Sequence, residues 1–201
     1  MNKILIFVGL GNPGKKYQKN RHNVGFLALD FFIKRMQQKY EINPIQELKF
    51  SSIINNFKVN NTKLYCVFPL TFMNNSGVAV KQIIDYLKIE DFKASLLVMY
   101  DDMDISLGDF RLKFDGGDAG HNGIKSIIHY IGKDFYRLRI GISRPPDKDY
   151  KNYVLQDFSP EELIKLNQVL LIISDVLENI IKDGIELTTS KLGIFLMKKQ
   201  W

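Results

Sequence analysis

Short apolar runs of strand type alternate along this chain with segments whose apolar residues recur every three to four positions, and that alternation restricts it to a sheet covered by helices. KILIFVGL at 3–10 and SLLVMY at 95–100 are continuous apolar runs of buried-strand length. FSSIINNFKV and TKLYCVFP flank the turn formers Asn60 and Asn61, which predicts a hairpin over 49–69. DFRLKF at 109–114 and YRLRIGI at 136–142 alternate, so Arg111 and Lys113 share one face of an exposed or edge strand, and Arg137 and Arg139 share a face of theirs. Helical spacing marks 24–40, 78–89 and 122–132. The last helix has the clearest start, with Ser159 as N-cap, Pro160 in the first turn and Glu162 closing a capping box. Its stripe runs Leu163, Leu166, Leu170, Ile173, Leu177 and Ile180, and Gly184 is a plausible stop. RPPDKDYKN at 144–152 reads as a loop. No linker stands out, so the expectation is an α/β fold in a single domain over 1–201, a mixed sheet sandwiched between helices.

Several polar residues fall where strands of such a fold end, which is where ligands sit in α/β sheets. GLGNPG at 9–14 formally matches the dinucleotide-binding fingerprint. Pro13 pushes Asn12 out of helical geometry, however, and KKYQKNRHN offers no apolar face for a helix to bury. Asp30, at the distance where the fingerprint wants an acidic residue, lies inside a predicted helix. The better reading is a tight turn that presents Asn12 at the top of the sheet. His22 lies in a polar loop before a helix. TFMNNSG at 71–77 follows a strand and puts Asn74 and Asn75 in a turn beside the apolar Phe72 and Met73. YDDMD at 100–104 also closes a strand, and a carboxylate there could orient an imidazole and stabilise its charge. GGDAGHNG at 116–123 is a glycine-rich loop through which backbone N–H groups and Asn122 can approach a substrate. His129 falls mid-helix among apolar residues and reads as structural.

Composition narrows the classes. The net charge is +6, compatible with a nucleic-acid partner but equally with solubility alone. Arg111, Lys113, Arg137 and Arg139 read as a phosphate clamp or as a solvated sheet edge. The single cysteine, Cys66, sits in an apolar run, which excludes an intrachain disulfide and points to a buried hydrophobe. No close pair among His22, His121 and the aspartates has the spacing of a zinc motif. The N-terminus lacks a signal peptide's pattern, and the longest apolar run, VLLII at 169–173, falls far short of the ~20 residues that span a bilayer. A soluble, cytoplasmic protein is expected. No G-x-S-x-G nucleophile elbow occurs.

In order and spacing, GLGNPG, Tyr17 with RHNVG, TFMNNSG, YDDMD, GHNGIKS, YRLRIGISRP and DYKNYVLQDFSPEE resemble the bacterial peptidyl-tRNA hydrolase family over about residues 3–162. The resemblance implies hydrolysis of the ester between a peptide and tRNA by a single α/β domain, with His22 as the catalytic base and Asp101 as the carboxylate that holds it. Asn12 matches the residue that distinguishes a blocked ester from a free aminoacyl one. Asn74 and Asn122 match substrate-contacting asparagines, while Tyr17 and Phe72 match positions around the tRNA end, with Met73 beside them. Lys113 and Arg139 match a pair that grips the tRNA 5′-phosphate, and His121 adjoins Asn122 in a supporting role. No metal or organic cofactor is implied. The expected partner is peptidyl-tRNA, with no membrane, no obligate protein partner and a monomeric chain. Asp118 departs from the small or neutral residue expected in the glycine-rich loop, and the tail after about residue 185 matches weakly. Two other readings follow from the residues alone: an RNA-binding module that needs no His22, and a nucleotide-dependent enzyme built on GLGNPG.

Overall fold

The computed structural model describes residues 3–89 and 91–197. Strand β1 (Lys3–Gly9) leads through two 3-10 turns, Lys15–Tyr17 and Arg21–Asn23, into helix α1 (Val24–Tyr40). A meander of β2 (Ile45–Lys49), β3 (Ser52–Val59) and β4 (Thr62–Pro69) follows, then a 3-10 turn at Met73–Asn75 and α2 (Ser76–Leu87). The rest is β5 (Leu96–Asp102), β6 (Phe110–Phe114), α3 (Asn122–Ile131), β7 (Tyr136–Gly141), α4 (Tyr150–Val154), α5 (Pro160–Asp183) and α6 (Ile185–Met197).

All seven strands share one sheet in the order β2-β3-β4-β1-β5-β7-β6. The central β4, β1, β5 and β7 are parallel, while β2, β3 and β6 run antiparallel to their neighbours. The sheet is therefore mixed, and its four parallel strands all release the chain at one edge. Alternate side chains of β1 point to opposite faces, as strand geometry requires. Leu5 and Phe7 join Leu97, Met99 and Leu138 against Leu29, Phe32 and Met36 of α1 and Leu170, Ile173 and Leu177 of α5. Ile6 and Val8 join Val67 and Val98 against Val80 and Ile83 of α2 and Ile124 and Ile127 of α3. Each fully buried side chain of this type contributes about 1.5–3 kcal/mol. No described helix is long and apolar enough to cross a membrane.

Two glycines set how closely α1 docks. A Cβ on Gly25 would lie 2.3 Å from the Met99 carbonyl oxygen and 2.5 Å from the Leu10 nitrogen; one on Gly9 would lie 2.5 Å from the Gly25 oxygen. The first turn of α1 thus rests directly on the backbone of β1 and β5, which fixes the preceding turn, Arg21–Asn23, over the strand ends. The predicted cap of α5 is present in full. The Ser159 hydroxyl accepts from the Glu162 N–H (3.2 Å), and the Glu162 carboxylate accepts from the Ser159 N–H (2.7 Å).

Four sequence expectations need correction. An additional strand, β2, precedes the hairpin. The end of the 144–152 segment is helical, because Asp149 caps α4 by accepting from the Asn152 N–H (3.4 Å). Gly184 does end α5, but α5 is not the last helix, since α6 starts at the next residue. His129 is exposed rather than packed among apolar residues, and its ring meets Tyr130 edge-on. Of the tail after residue 185, residues 198–201 lie outside the described residues.

Candidate active site

The strand ends converge as the sequence suggested, and each brings a different group. After β1, the turn at Asn12 is held by Asn23: the Asn12 N–H donates to Asn23 Oδ1 (2.8 Å), and Asn23 Nδ2 donates to the Asn12 carbonyl (2.9 Å). Asn12 Oδ1 in turn accepts from the Met73 N–H (2.9 Å), which anchors the loop after β4. With its oxygen committed, Asn12 has its amide N–H groups left to offer a ligand. The GLGNPG segment opens no helix, since two 3-10 turns intervene before α1 begins at Val24. The helix N-terminus that a dinucleotide's pyrophosphate needs is therefore missing there.

At the end of β5, Asp101 is buried between two imidazoles. Its Oδ1 lies 2.8 Å from His22 Nδ1 and 3.0 Å from His121 Nε2. Burial alone would raise the Asp101 pKa, but the two imidazoles outweigh it and hold the carboxyl well below the usual carboxylate range. An ionised carboxylate only accepts, so both facing nitrogens carry protons. His121 is also the N-cap of α3, its Nδ1 accepting from the Ile124 N–H (3.2 Å). Both nitrogens of His121 are thus committed. His22 has Nε2 left over, with no partner among the described residues. Burial is the largest single influence on His22 and lowers its pKa; the charge and hydrogen bond of Asp101 together outweigh it and raise the ring above the ordinary 6.5.

A pocket of about 370 Å³ opens over this group. His22, Asp101, His121 and Asn122 line it, with Met103, Tyr150 and Val154 among its apolar walls. Met73 reaches the same place from the other side: a Cβ on Gly123 would lie 2.6 Å from Met73 Sδ and 3.0 Å from the His121 ring. Asn12 is joined to the pocket through Asn23, the neighbour of His22. Phe72 is 51% exposed, with φ 57° and ψ 161°, a region that residues with a Cβ avoid. Asn74 is exposed in the turn beside it, and Tyr17 is half-buried in the first 3-10 turn. Asp118 lies on the pocket wall and orders the glycine-rich loop, its Oδ1 accepting from the Gly120 N–H (2.7 Å).

The basic strands are less uniform than their sequence. Lys113 is exposed on the edge strand β6, and its register partner is Arg137, not Arg139. Arg137 is buried and donates to the Gly117 and Lys133 carbonyls. Arg139 spends its Nε on Asp102 (2.5 Å). The four cations therefore do not form one free patch: Arg137 is buried, while the exposed Arg111 lies opposite the half-buried Arg139 and the exposed Lys113 lies diagonal to it.

His22, Asp101 and His121 form the one group of three potential metal ligands found among the described residues, with ligand atoms within 4.8 Å of one another. The hydrogen bonding does not suit a cation. The Ile124 N–H occupies the lone pair of His121 Nδ1, so His121 Nε2 carries the proton and offers no lone pair. Two other groups are unsuited to attack. Burial pushes the Tyr100 hydroxyl up to about 12 and the fully buried Cys66 thiol well above its ordinary value.

Sequence reasoning passed over Asn23 and Arg21, although both lie inside the RHN segment. Their partners are 11 and 141 residues away, in Asn12 and Glu162. The capping-box position of Glu162 was readable; its second bond was not.

Residues 6–200 match the family model described as peptidyl-tRNA hydrolase. A peptidyl-tRNA hydrolase of Pelagibacter ubique is 41% identical over 191 residues, covering 94% of this chain and 99% of that one. One of Aquifex aeolicus is 43% identical over 169 residues, covering 83% and 84%. Among solved structures, a peptidyl-tRNA hydrolase in complex with N-propanol has a TM-score of 0.81 at 30% identity over 95% of each chain. One from Acinetobacter baumannii has a TM-score of 0.76 at 31% identity, covering 98% of this chain and 94% of that one.

Proposed function

The chain belongs to the peptidyl-tRNA hydrolase family, and on that premise we propose that it cleaves the ester between peptide and tRNA with His22 as general base. The observation that carries the reading is the unequal commitment of the two histidines on Asp101. His121 has both ring nitrogens engaged, while His22 keeps Nε2 for a water molecule. In this mechanism His22 Nε2 takes a proton from water as the oxygen attacks the ester carbonyl, and the imidazolium returns that proton to the ribose oxygen of the tRNA as the bond between it and the acyl carbon breaks. Asp101 holds the Nδ1–H tautomer and stabilises the imidazolium that forms. General-base assistance of this kind is worth about 10²–10⁴-fold.

Asn12 supplies the selection. Its free Nδ2–H groups suit the carbonyl of a peptide or N-acyl group and repel the ammonium of an unblocked aminoacyl ester, which can only donate. Asn122, on the pocket wall, and Asn74, in the turn nearby, would bind and orient the substrate, since an asparagine is no base near neutral pH. Phe72, Met73 and Tyr17 would receive the tRNA end, and aromatic faces suit unpaired bases there. Lys113 and the terminal nitrogens of Arg139 would take the 5′-phosphate as a diagonal pair. The reaction as proposed needs no metal or organic cofactor, and the chain would act as a monomer in the cytoplasm.

The test compares peptide release from peptidyl-tRNA by the wild type and His22→Ala. A fall of at least 10²-fold in kcat is expected. Near wild-type turnover by the variant would remove His22 from the mechanism.

A further inference from the structure

Arg21 precedes His22, is buried, and uses both terminal nitrogens of its guanidinium. Nη2 donates to both Glu162 oxygens (2.9 and 2.7 Å), and Nη1 donates to the Gln156 and Asp157 carbonyls (3.2 and 2.8 Å). The group lies 4.4 Å from the Tyr153 ring centroid and 5.3 Å from that of Phe158. The backbone pairs around it. The Arg21 N–H donates to the Gln156 carbonyl (3.0 Å), the Phe158 N–H donates to the Lys19 carbonyl (3.2 Å), and Asn20 bridges to Asp157 in antiparallel fashion.

This junction joins two parts of the active site that are far apart in sequence. One side carries His22. The other is the end of the segment that begins with α4, whose Tyr150, Lys151 and Val154 wall the pocket. Glu162 serves both the fork and the cap of α5, because its Oε2 also accepts from the Ser159 N–H. We propose that Arg21 and Glu162 are positioning residues for ester hydrolysis: their ion pair fixes the separation between the His22 turn and the α4 wall, so that base and bound ester meet in one geometry. The proposal rests on the reading of His22 as base. A misplacement near 1 Å can cost on the order of 10²-fold in rate. Only arginine makes a fork of this kind, since lysine is a single point of charge.

The test uses the full chain and two variants, Glu162→Gln and Arg21→Lys. Glutamine at 162 still accepts from the Ser159 N–H, because a capping box takes either residue. It loses the charge and one acceptor of the fork. Melting temperature, kcat and KM for peptidyl-tRNA are measured well below the melting transition. Positioning predicts a fall in kcat of about 10-fold or more in folded Glu162→Gln, a smaller change in KM, and a double variant no slower than the worse single one. A purely structural role predicts a lower melting temperature with kcat unchanged, and that result overturns the proposal. If Arg21→Lys does not fold, kcat of Glu162→Gln decides alone. His22→Ala separates the two failures. An active His22→Ala strikes the base assignment itself, whereas an inactive one beside a fully active Glu162→Gln strikes only the positioning role.

Discussion

Replacing Asp101 by asparagine removes a charge from the site while leaving an acceptor where two imidazoles point. Asn Oδ1 placed at the carboxylate Oδ1 position still accepts from His22 Nδ1 and His121 Nε2, now at 2.8 and 3.0 Å from the charged oxygen, so the fold should survive. What disappears is the attraction between a carboxylate and the imidazolium that the proposed mechanism forms. For unit charges about 4 Å apart at an effective dielectric constant near 20, that attraction is about 4 kcal/mol. The proton is only partly transferred in the transition state, so about half is at stake there. At about 1.4 kcal/mol per decade this corresponds to a loss on the order of 10¹–10². An asparagine that instead turns its NH₂ toward His22 would force the wrong tautomer and deepen the loss toward 10⁴. The acid limb should shift as well. Without Asp101 only burial acts on His22, so the limb moves from above 6.5 to below it. The assay is peptide release from peptidyl-tRNA between about pH 5 and 9, with kcat compared at a pH above the acid limb of both proteins. A loss below threefold at that pH, or an acid limb that does not move, would refute the reasoning.

The raised pKa of His22 also sets activity against stability. A group whose folded pKa lies above its unfolded value of 6.5 stabilises fully below 6.5, and that stabilisation is lost as pH rises through the folded pKa. The proposed mechanism needs the neutral ring, so kcat should climb over the window in which this part of the melting temperature declines, and His22→Ala should flatten the decline. A wild-type melting temperature that rises with activity, and does so equally in the variant, contradicts the linkage. Gly25→Ala should destabilise by about 3 kcal/mol, the upper end for overpacking, because the Cβ would strike backbone atoms at 2.3 and 2.5 Å rather than flexible side chains. A urea midpoint unchanged at constant m would show that α1 can lift off the sheet freely. Phe72→Gly should raise the melting temperature while raising KM for peptidyl-tRNA, since a glycine relieves a backbone held at φ 57° and ψ 161° at a cost of about 1–3 kcal/mol. A lower melting temperature with KM unchanged would show that the ring serves packing instead.

The elements that bury a continuous face were legible in the sequence nearly to the residue. The expected helix at 24–40 is Val24–Tyr40, and the Ser159 cap is where its residues put it. The hairpin around Asn60 is present, with that residue at φ 52°. What was missed lacks such a face. Strand β2 is exposed at four of its five positions and is held by pairing with β3, so its sequence carries no alternation that burial would impose. The five residues of α4 are too few for a helical stripe. Helix α6 follows α5 without a loop, and Lys3 Nζ, donating to the Ile180 and Ile181 carbonyls, helps satisfy the end of α5 from the opposite end of the chain.

At the site, residue types were legible and their division of labour was not. Parallel strands deliver their ends to one edge, so the polar residues after β1, β4 and β5 had to meet there once the fold was known. The sequence offered His22 and His121 in loops and the three aspartates of YDDMD, and it was the resemblance to a family that assigned His22 and Asp101 their roles. The folded chain adds a physical argument for the proposed assignment that owes nothing to resemblance. A backbone amide at the start of α3, that of Ile124, fills the one lone pair His121 has to give. That contact depends on where a helix begins relative to a strand end, which no spacing along the chain reports. It also explains why one carboxylate can serve both rings. His121 Nε2 faces Oδ1 while its Nδ1 is taken by the Ile124 N–H, and the same oxygen holds His22 with its second nitrogen free. If His121 were the base instead, its proton uptake would break the cap of α3, and hydrolysis would be coupled to the fraying of a helix that packs against α2 and Met73.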